Sequence, residues 1–216
     1  MLKNANNNQD NYKNHDNNTD NGFQIKNKTV LFITGNIHKF EEVRSILNPI
    51  GITVGMLRMK GKEIQSDHNS EIAENSAIEA FNRCHLPLIV EDAGLFIDAF
   101  KGFPGPYSAY VYKTIQNEGI LKLMENTPNR KAIFYSTIAY YSQKTGIQLF
   151  EGKTEGKITL TECKGNNNSG FGFDPIFQPV QSVKTFAEMT LKEKNSISHR
   201  AKAVNNFAQW YIKQTL

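Results

Sequence analysis

Four short stretches of this chain combine residue types that could do chemistry on an anionic ligand. The first is Thr34-Gly35-Asn36-Ile37-His38-Lys39, directly after the apolar run Thr29-Val30-Leu31-Phe32-Ile33. A strand, a glycine turn and a helix start leave backbone N–H groups pointing where a phosphate binds; Gly35 admits it close to the chain and Lys39 adds positive charge. The same turn also reads as an ordinary connection with Asn36 as helix cap. The second stretch is Glu91-Asp92, which the apolar run Leu88-Ile89-Val90 places at the end of a buried strand. Ligand sites in open α/β sheets gather there. Neighbouring strand residues face opposite sides, so one acid is expected in the site and the other in its support. A hard cation such as Mg²⁺ takes one or two carboxylates together with substrate phosphates. Glu63, in the irregular stretch after the second strand, is the candidate second acid, although taken singly it is one solvated acid among many.

The third stretch is Ser169-Gly170-Phe171-Gly172-Phe173-Asp174-Pro175. Glycines beside aromatics give a tight backbone with exposed ring faces, on which a flat base stacks for roughly 1–3 kcal/mol. A plain turn with Phe171 or Phe173 in the core fits equally. The fourth is Lys194 with Ser198-His199-Arg200, whose donors could grip a carbonyl oxygen; a solvated helix start would look the same.

These stretches need elements to position them. Ile37, Phe40, Val43 and Leu47 recur at helical spacing, Ile52–Leu57 reads as a second strand, and Ser70 as the cap of a helix with Ile72, Ala73, Ala77, Ala80 and Phe81 inward. Residues 101–107 are too rich in Gly and Pro for regular structure, and a helix follows from Ser108 towards Glu125. Lys131–Tyr141 alternates as a long strand, with a hairpin at Gly146 into residues 148–151. Residues 166–172 form a polar loop, Thr190–Glu193 is a capping box, and Val204, Phe207, Ala208 and Tyr211 mark one face of a last helix. Alternating strands and helices with a hairpin predict an α/β domain with a mixed sheet.

The chain has 216 residues, 39% of them hydrophobic, and a formal net charge of +4. Residues 1–28, dominated by Asn and Asp, carry too little apolar surface to order themselves and are expected to be a disordered leader to a domain over 29–216. Nothing approaches ~18 consecutive apolar residues, so no membrane span is expected. The basic balance suits nucleic acid or a phosphorylated small molecule and does not decide between them, but Lys and Arg are dispersed without a basic block and no nucleic-acid partner is expected. Cys84 and Cys163 lack metal-ligand spacing and read as reduced thiols of a cytosolic protein.

Taken together, TGNIHK (34–39), EDAGLFIDAFKGFPGPYSAY (91–110), GFGFDPIF (170–177) and TFAEMTLKEKNSISHR (185–200) make the chain resemble the inosine triphosphate pyrophosphatase family, the Ham1-like or RdgB-like nucleotide pyrophosphatases, collinearly over about residues 29 to 212. The resemblance implies Mg²⁺-dependent hydrolysis of ITP, dITP and XTP to the monophosphate and pyrophosphate. It implies an elongated mixed sheet between two lobes, a cleft between them, and a homodimer in the cytoplasm. Residue by residue, it assigns Thr34, Gly35, Asn36, Ile37, His38 and Lys39 to the triphosphate, Glu63 and Asp92 to the metal, and Asp92 to proton acceptance. Phe171, Gly172, Phe173 and Asp174 would stack on and border the base, Lys194 would contact the substrate, and His199 with Arg200 would read the 6-keto group. Two departures stand out. Ala93 occupies a substrate-contacting position where relatives commonly carry Ser or Thr, and Ala109-Tyr110 stand where many place Lys or Arg, which implies either weaker triphosphate binding or compensation by Lys101 or Lys113. A nucleotide-binding module without hydrolysis, a nucleic-acid binder and the Maf-type pyrophosphatases are the competing readings.

Overall fold

The computed structural model describes residues 28–59, 61, 64–165 and 170–214. The leader up to residue 27, with the expectation of disorder, lies outside the described residues, as do Glu63 and positions 166–169.

β1 (Thr29–Ile33) lies between β2 (Thr53–Leu57) and β3 (Leu88–Ile97) and runs parallel to both. α1 (Ile37–Leu47) carries the chain from β1 to β2, and α2 (Asn69–Cys84) returns it to β3 across the other face. Parallel neighbours require such crossovers, and their right-handedness puts the two helices on opposite sides. Beyond β3 the sheet becomes antiparallel through β5 (Lys131–Ser142), β6 (Gly146–Ile158) and β7 (Phe177–Pro179), in the order β2-β1-β3-β5-β6-β7. The two-residue β4 (Pro104–Gly105) pairs with β3 inside the Gly/Pro stretch. The expected mixed α/β sheet is therefore present, with seven strands.

α2 starts earlier than Ser70 suggests. Ser66 Oγ accepts the His68 N–H at 3.0 Å and donates to Glu71 at 2.6 Å, which fixes the first turn at Asn69. The capping box forms as expected: Thr190 and Glu193 exchange bonds at the start of α4 (Leu191–Ile197). α5 (His199–Gln214) buries Val204, Phe207, Ala208 and Tyr211 against one face of the sheet, beside Val43 and Leu47 of α1. Ala73, Ala77, Ala80 and Phe81 of α2 pack on the opposite face. A third core surrounds the antiparallel end, with Leu95, Ile97, Phe134, Phe173, Phe177 and Phe186. β3 contributes Ile89 to the first core, Leu88 and Val90 to the second, and Leu95 and Ile97 to the third, so residues 91–94 bridge the two ends of the molecule.

α3 (Ser108–Leu123) is bent at Gln116, whose φ of 57° and ψ of −164° fall in a region that a Cβ disfavours. Gln116→Gly is expected to stabilise the chain by about 1 kcal/mol, net of the entropy glycine adds to the unfolded state, as read from denaturant midpoints.

Candidate active site

β3 settles the placement of the two acids. The sequence places the end of this strand at Glu91-Asp92; it continues to Ile97 because β5 pairs with it from Leu88↔Tyr141 to Ile97↔Ala132. β1 ends opposite Val90, and β4 resumes pairing on that side only at Leu95. The open edge between them carries Glu91 and Asp92. Strand alternation sends Glu91 to the face of Ile89, under α1 and α5, and Asp92 to the face of Leu88 and Val90, under α2. The bonds agree: Ser136 and Arg200 donate to Glu91 Oε1 at 2.7 and 3.0 Å, whereas Asn69, the first residue of α2, donates to Asp92 Oδ2.

Beside the open edge lies a cleft of about 910 Å³, lined by Thr34, Gly35 and Lys39 of the turn, by Glu91, Asp92 and Ala93, and by Ser76, Glu79 and Arg83 of α2. A Cβ built on Gly35 meets nothing within 4 Å, so this backbone faces open space. Asn36 caps α1 as the bland reading has it, accepting the His38 and Lys39 N–H groups at 2.9 and 3.2 Å. Those two donors are therefore engaged in this state. Lys39 reaches across the edge to the Glu91 carboxylate at 2.8 Å and its carbonyl oxygen at 3.4 Å, placing a cation beside Asp92.

On the other face of β3 sits a buried charge cluster. Lys194 Nζ lies 2.7 Å from Glu42 and 2.6 Å from Asp174, and Arg200 bridges Glu42 and Glu91. Lys194 and Arg200 are only 3% and 2% exposed, and each is matched by two carboxylates, which burial of a cation requires. Asp174 also accepts the Phe171 N–H at 2.8 Å, tying the glycine turn to α4. The Phe171 ring covers the cluster, 4.9 Å from Lys194 Nζ and 5.4 Å from the Arg200 guanidinium carbon. α5 approaches β6 closely enough to set this geometry only because position 152 is glycine: a Cβ there would lie 2.2 Å from the His199 carbonyl oxygen.

Burial alone would raise the Glu42 and Glu91 carboxyls. Arg200, with Lys194 beside Glu42 and Lys39 beside Glu91, outweighs it and holds both below the ordinary 4.5. Burial, reinforced by Arg200, drives His199 well below 6.5, so its ring is neutral. Both kinds of shift make acid unfavourable for folding. Below pH 6.5 the unfolded chain takes up a proton at position 199 before the native chain does, and below 4.5 it takes up another at position 42. Urea midpoints are thus expected to be level above about pH 6.5, to decline below it, and to fall more steeply under about 4.5. His199→Leu should remove the upper decline alone.

The structure thus gathers Lys39, Asp92, Lys194, Arg200, Asp174 and Phe171 around one stretch of β3, and places Phe173 away from it. Phe173 is 3% exposed and packs edge-on to Tyr112 in the third core, so Phe171 alone of the two aromatics has a ring at the site. His199, as buried as its neighbour Arg200, stacks on Phe134 with centroids 4.5 Å apart. Neither Lys101 nor Lys113 lines the cleft; Arg83 does, across from Ala109 and Tyr110. Glu42 and Asn69 were not singled out from sequence. Glu42 is one of two adjacent glutamates, and only the register of α1 against α5 makes it internal.

An open sheet, a cleft at the carboxyl end of its first strand, a carboxylate facing that cleft and a buried cluster of paired charges under an aromatic ring define a nucleotide-handling α/β protein. A model of the Ham1 family matches residues 30–210, and the chain belongs to that family. It is 49% identical over 187 residues to a dITP/XTP pyrophosphatase of Thermococcus kodakarensis, covering 87% of this chain and 98% of that one. A dITP/XTP pyrophosphatase of Methanopyrus kandleri is 49% identical over 182 residues, 84% of this chain and 95% of its own. Among solved structures, the Staphylococcus aureus Ham1 protein superposes with a TM-score of 0.73 at 26% identity, over 87% of this chain and all of its own. A HAM1 protein from Coxiella burnetii gives 0.74 at 26% identity, over 86% and 98%.

Proposed function

We propose that the chain hydrolyses non-standard purine nucleoside triphosphates, dITP, ITP and XTP, to the monophosphate and pyrophosphate. One observation carries this reading: Asp92 faces the cleft beside Lys39, while its neighbour Glu91 holds Arg200 beneath Phe171 on the other face. Acid chemistry and base recognition thereby meet on adjacent residues of one strand. The names of the two archaeal relatives support the same substrate class.

The donor set suits a hard divalent cation. Asp92 is a half-buried carboxylate on an open cleft, and among the described residues no group of three His, Cys, Asp or Glu side chains could enclose an ion. Mg²⁺ fits such a site because it keeps waters and phosphate oxygens in its shell. Asp92 and Glu63 would hold it, and when bound it supplies charge neutralisation at the triphosphate. Asp92, oriented by Asn69, or a water that it holds, accepts the proton of the water attacking the α-phosphorus. Lys39 provides positive charge beside the departing pyrophosphate.

Selectivity follows from donors that cannot become acceptors. Arg200 keeps its charge between Glu42 and Glu91, so a purine with a 6-keto oxygen satisfies it and a 6-amino group does not. An unpaired buried donor costs ~1–3 kcal/mol and more when charged, so ITP should exceed ATP in kcat/KM by about a hundredfold. The chain is proposed to work as a homodimer in the cytoplasm, where its two cysteines, free in this structure, would stay reduced. The test is pyrophosphate release with Mg²⁺ from ITP, XTP, dITP, GTP and ATP. Release from the first three, well above ATP, supports the reading; binding without release would make the chain a nucleotide-sensing module instead.

A further inference from the structure

The six-residue turn after β1 divides its side chains between two places. Thr34, Gly35 and Lys39 line the cleft, but His38 does not. Its exposed imidazole instead lies against the Phe171 ring, centroids 5.4 Å apart and planes 14° from parallel. The two rings come from opposite ends of the sequence, and Lys194 and Arg200 approach the same Phe171 ring to 4.9 and 5.4 Å.

We propose that His38 is a nucleobase-contacting residue: its imidazole and the Phe171 ring form the two walls of the slot that takes the purine. This rests on the triphosphate hydrolysis proposed above and specifies how that site holds its base.

Two features of the pair suit it to that role. The walls belong to different elements, α1 and the Gly170–Gly172 turn, so their spacing is not fixed by one backbone. Phe171 is the anchored wall, because its N–H is held by Asp174 and the flanking glycines take φ of +105° and +61°. His38 is the adjustable wall, because its ring is exposed at the first turn of α1 and its N–H, not its ring, is what Asn36 holds. Without a base the two rings satisfy each other. A purine entering between them exchanges one ring–ring contact for two ring–base contacts, a net gain of one stacking contact. Stacking is blind to ring substituents, so His38 contributes affinity while Arg200 discriminates.

The alternative is that His38 touches the triphosphate, as its place in the turn would suggest, and the two are separable. The experiment compares the unaltered chain with His38→Ala and His38→Phe, reading kcat and KM for ITP with Mg²⁺ and the inhibition constant of inorganic tripolyphosphate, which has no base. The proposal expects His38→Ala to raise KM for ITP about tenfold with the change confined to KM, the tripolyphosphate constant to stay put, and His38→Phe to restore KM. An unchanged or lowered KM in His38→Ala, a parallel rise in the tripolyphosphate constant, or a Phe variant as weak as the Ala variant overturns it. Absence of ITP turnover by the unaltered chain would instead remove the functional reading, and this proposal with it.

Discussion

Asp92→Asn is expected to lower kcat for ITP about a thousandfold while the chain stays folded. The substitution removes the proposed proton acceptor and its negative charge but keeps the shape of the side chain and an oxygen that can accept from Asn69. Asp92 belongs to the α2 face of β3 and the buried charge cluster to the other, so the ion pairs of Glu42, Glu91, Lys194 and Arg200 are left as they were. Steady-state kinetics and a thermal melt should therefore disagree: activity nearly gone, Tm within a few degrees. A variant that retains full activity removes Asp92 from the chemistry, and one that is simply unfolded would show that the acid is structural.

Glu42→Ala is expected to do the reverse and strike the fold first. Glu42 is buried and shared between Lys194 and Arg200, so its loss strips one of two carboxylates from each buried cation. Breaking a buried pair from one side costs about 3–5 kcal/mol, because the partner charge stays behind. For a domain of this size that lowers Tm by roughly 10 °C. Glu41, its exposed neighbour, is the control: Glu41→Ala should move stability by no more than about 0.5 kcal/mol. Differential scanning calorimetry of the two variants checks the pair, and equal melting temperatures would mean that the cluster contributes nothing net.

What could be read from the chain alone follows from which interactions are local. The strand at Thr29–Ile33, the helix over Ile37–Leu47 and the capping box at Thr190 are set by periodicity and by neighbours within four residues, and each formed where expected. Alternation also separated Glu91 from Asp92 correctly, since a strand must send adjacent side chains to opposite faces. The end of β3 was not legible, because the pairing that extends it to Ile97 comes from β5, some forty residues away. Phe171 and Phe173 differ by two positions and look alike in sequence; the packing of Tyr112 and Phe177 around the third core decides which one is buried. Glu42 was hidden for the same reason, its partners lying about 150 positions downstream on α4 and α5.

The most direct measurement is the hydrolysis of ITP with Mg²⁺ in ¹⁸O-labelled water, with both products resolved by mass spectrometry. Label in the phosphate of IMP beside unlabelled pyrophosphate is the predicted result, since the proposed mechanism has Asp92 serve a water that attacks the α-phosphorus. Label in pyrophosphate, or orthophosphate with IDP as the products, would contradict it.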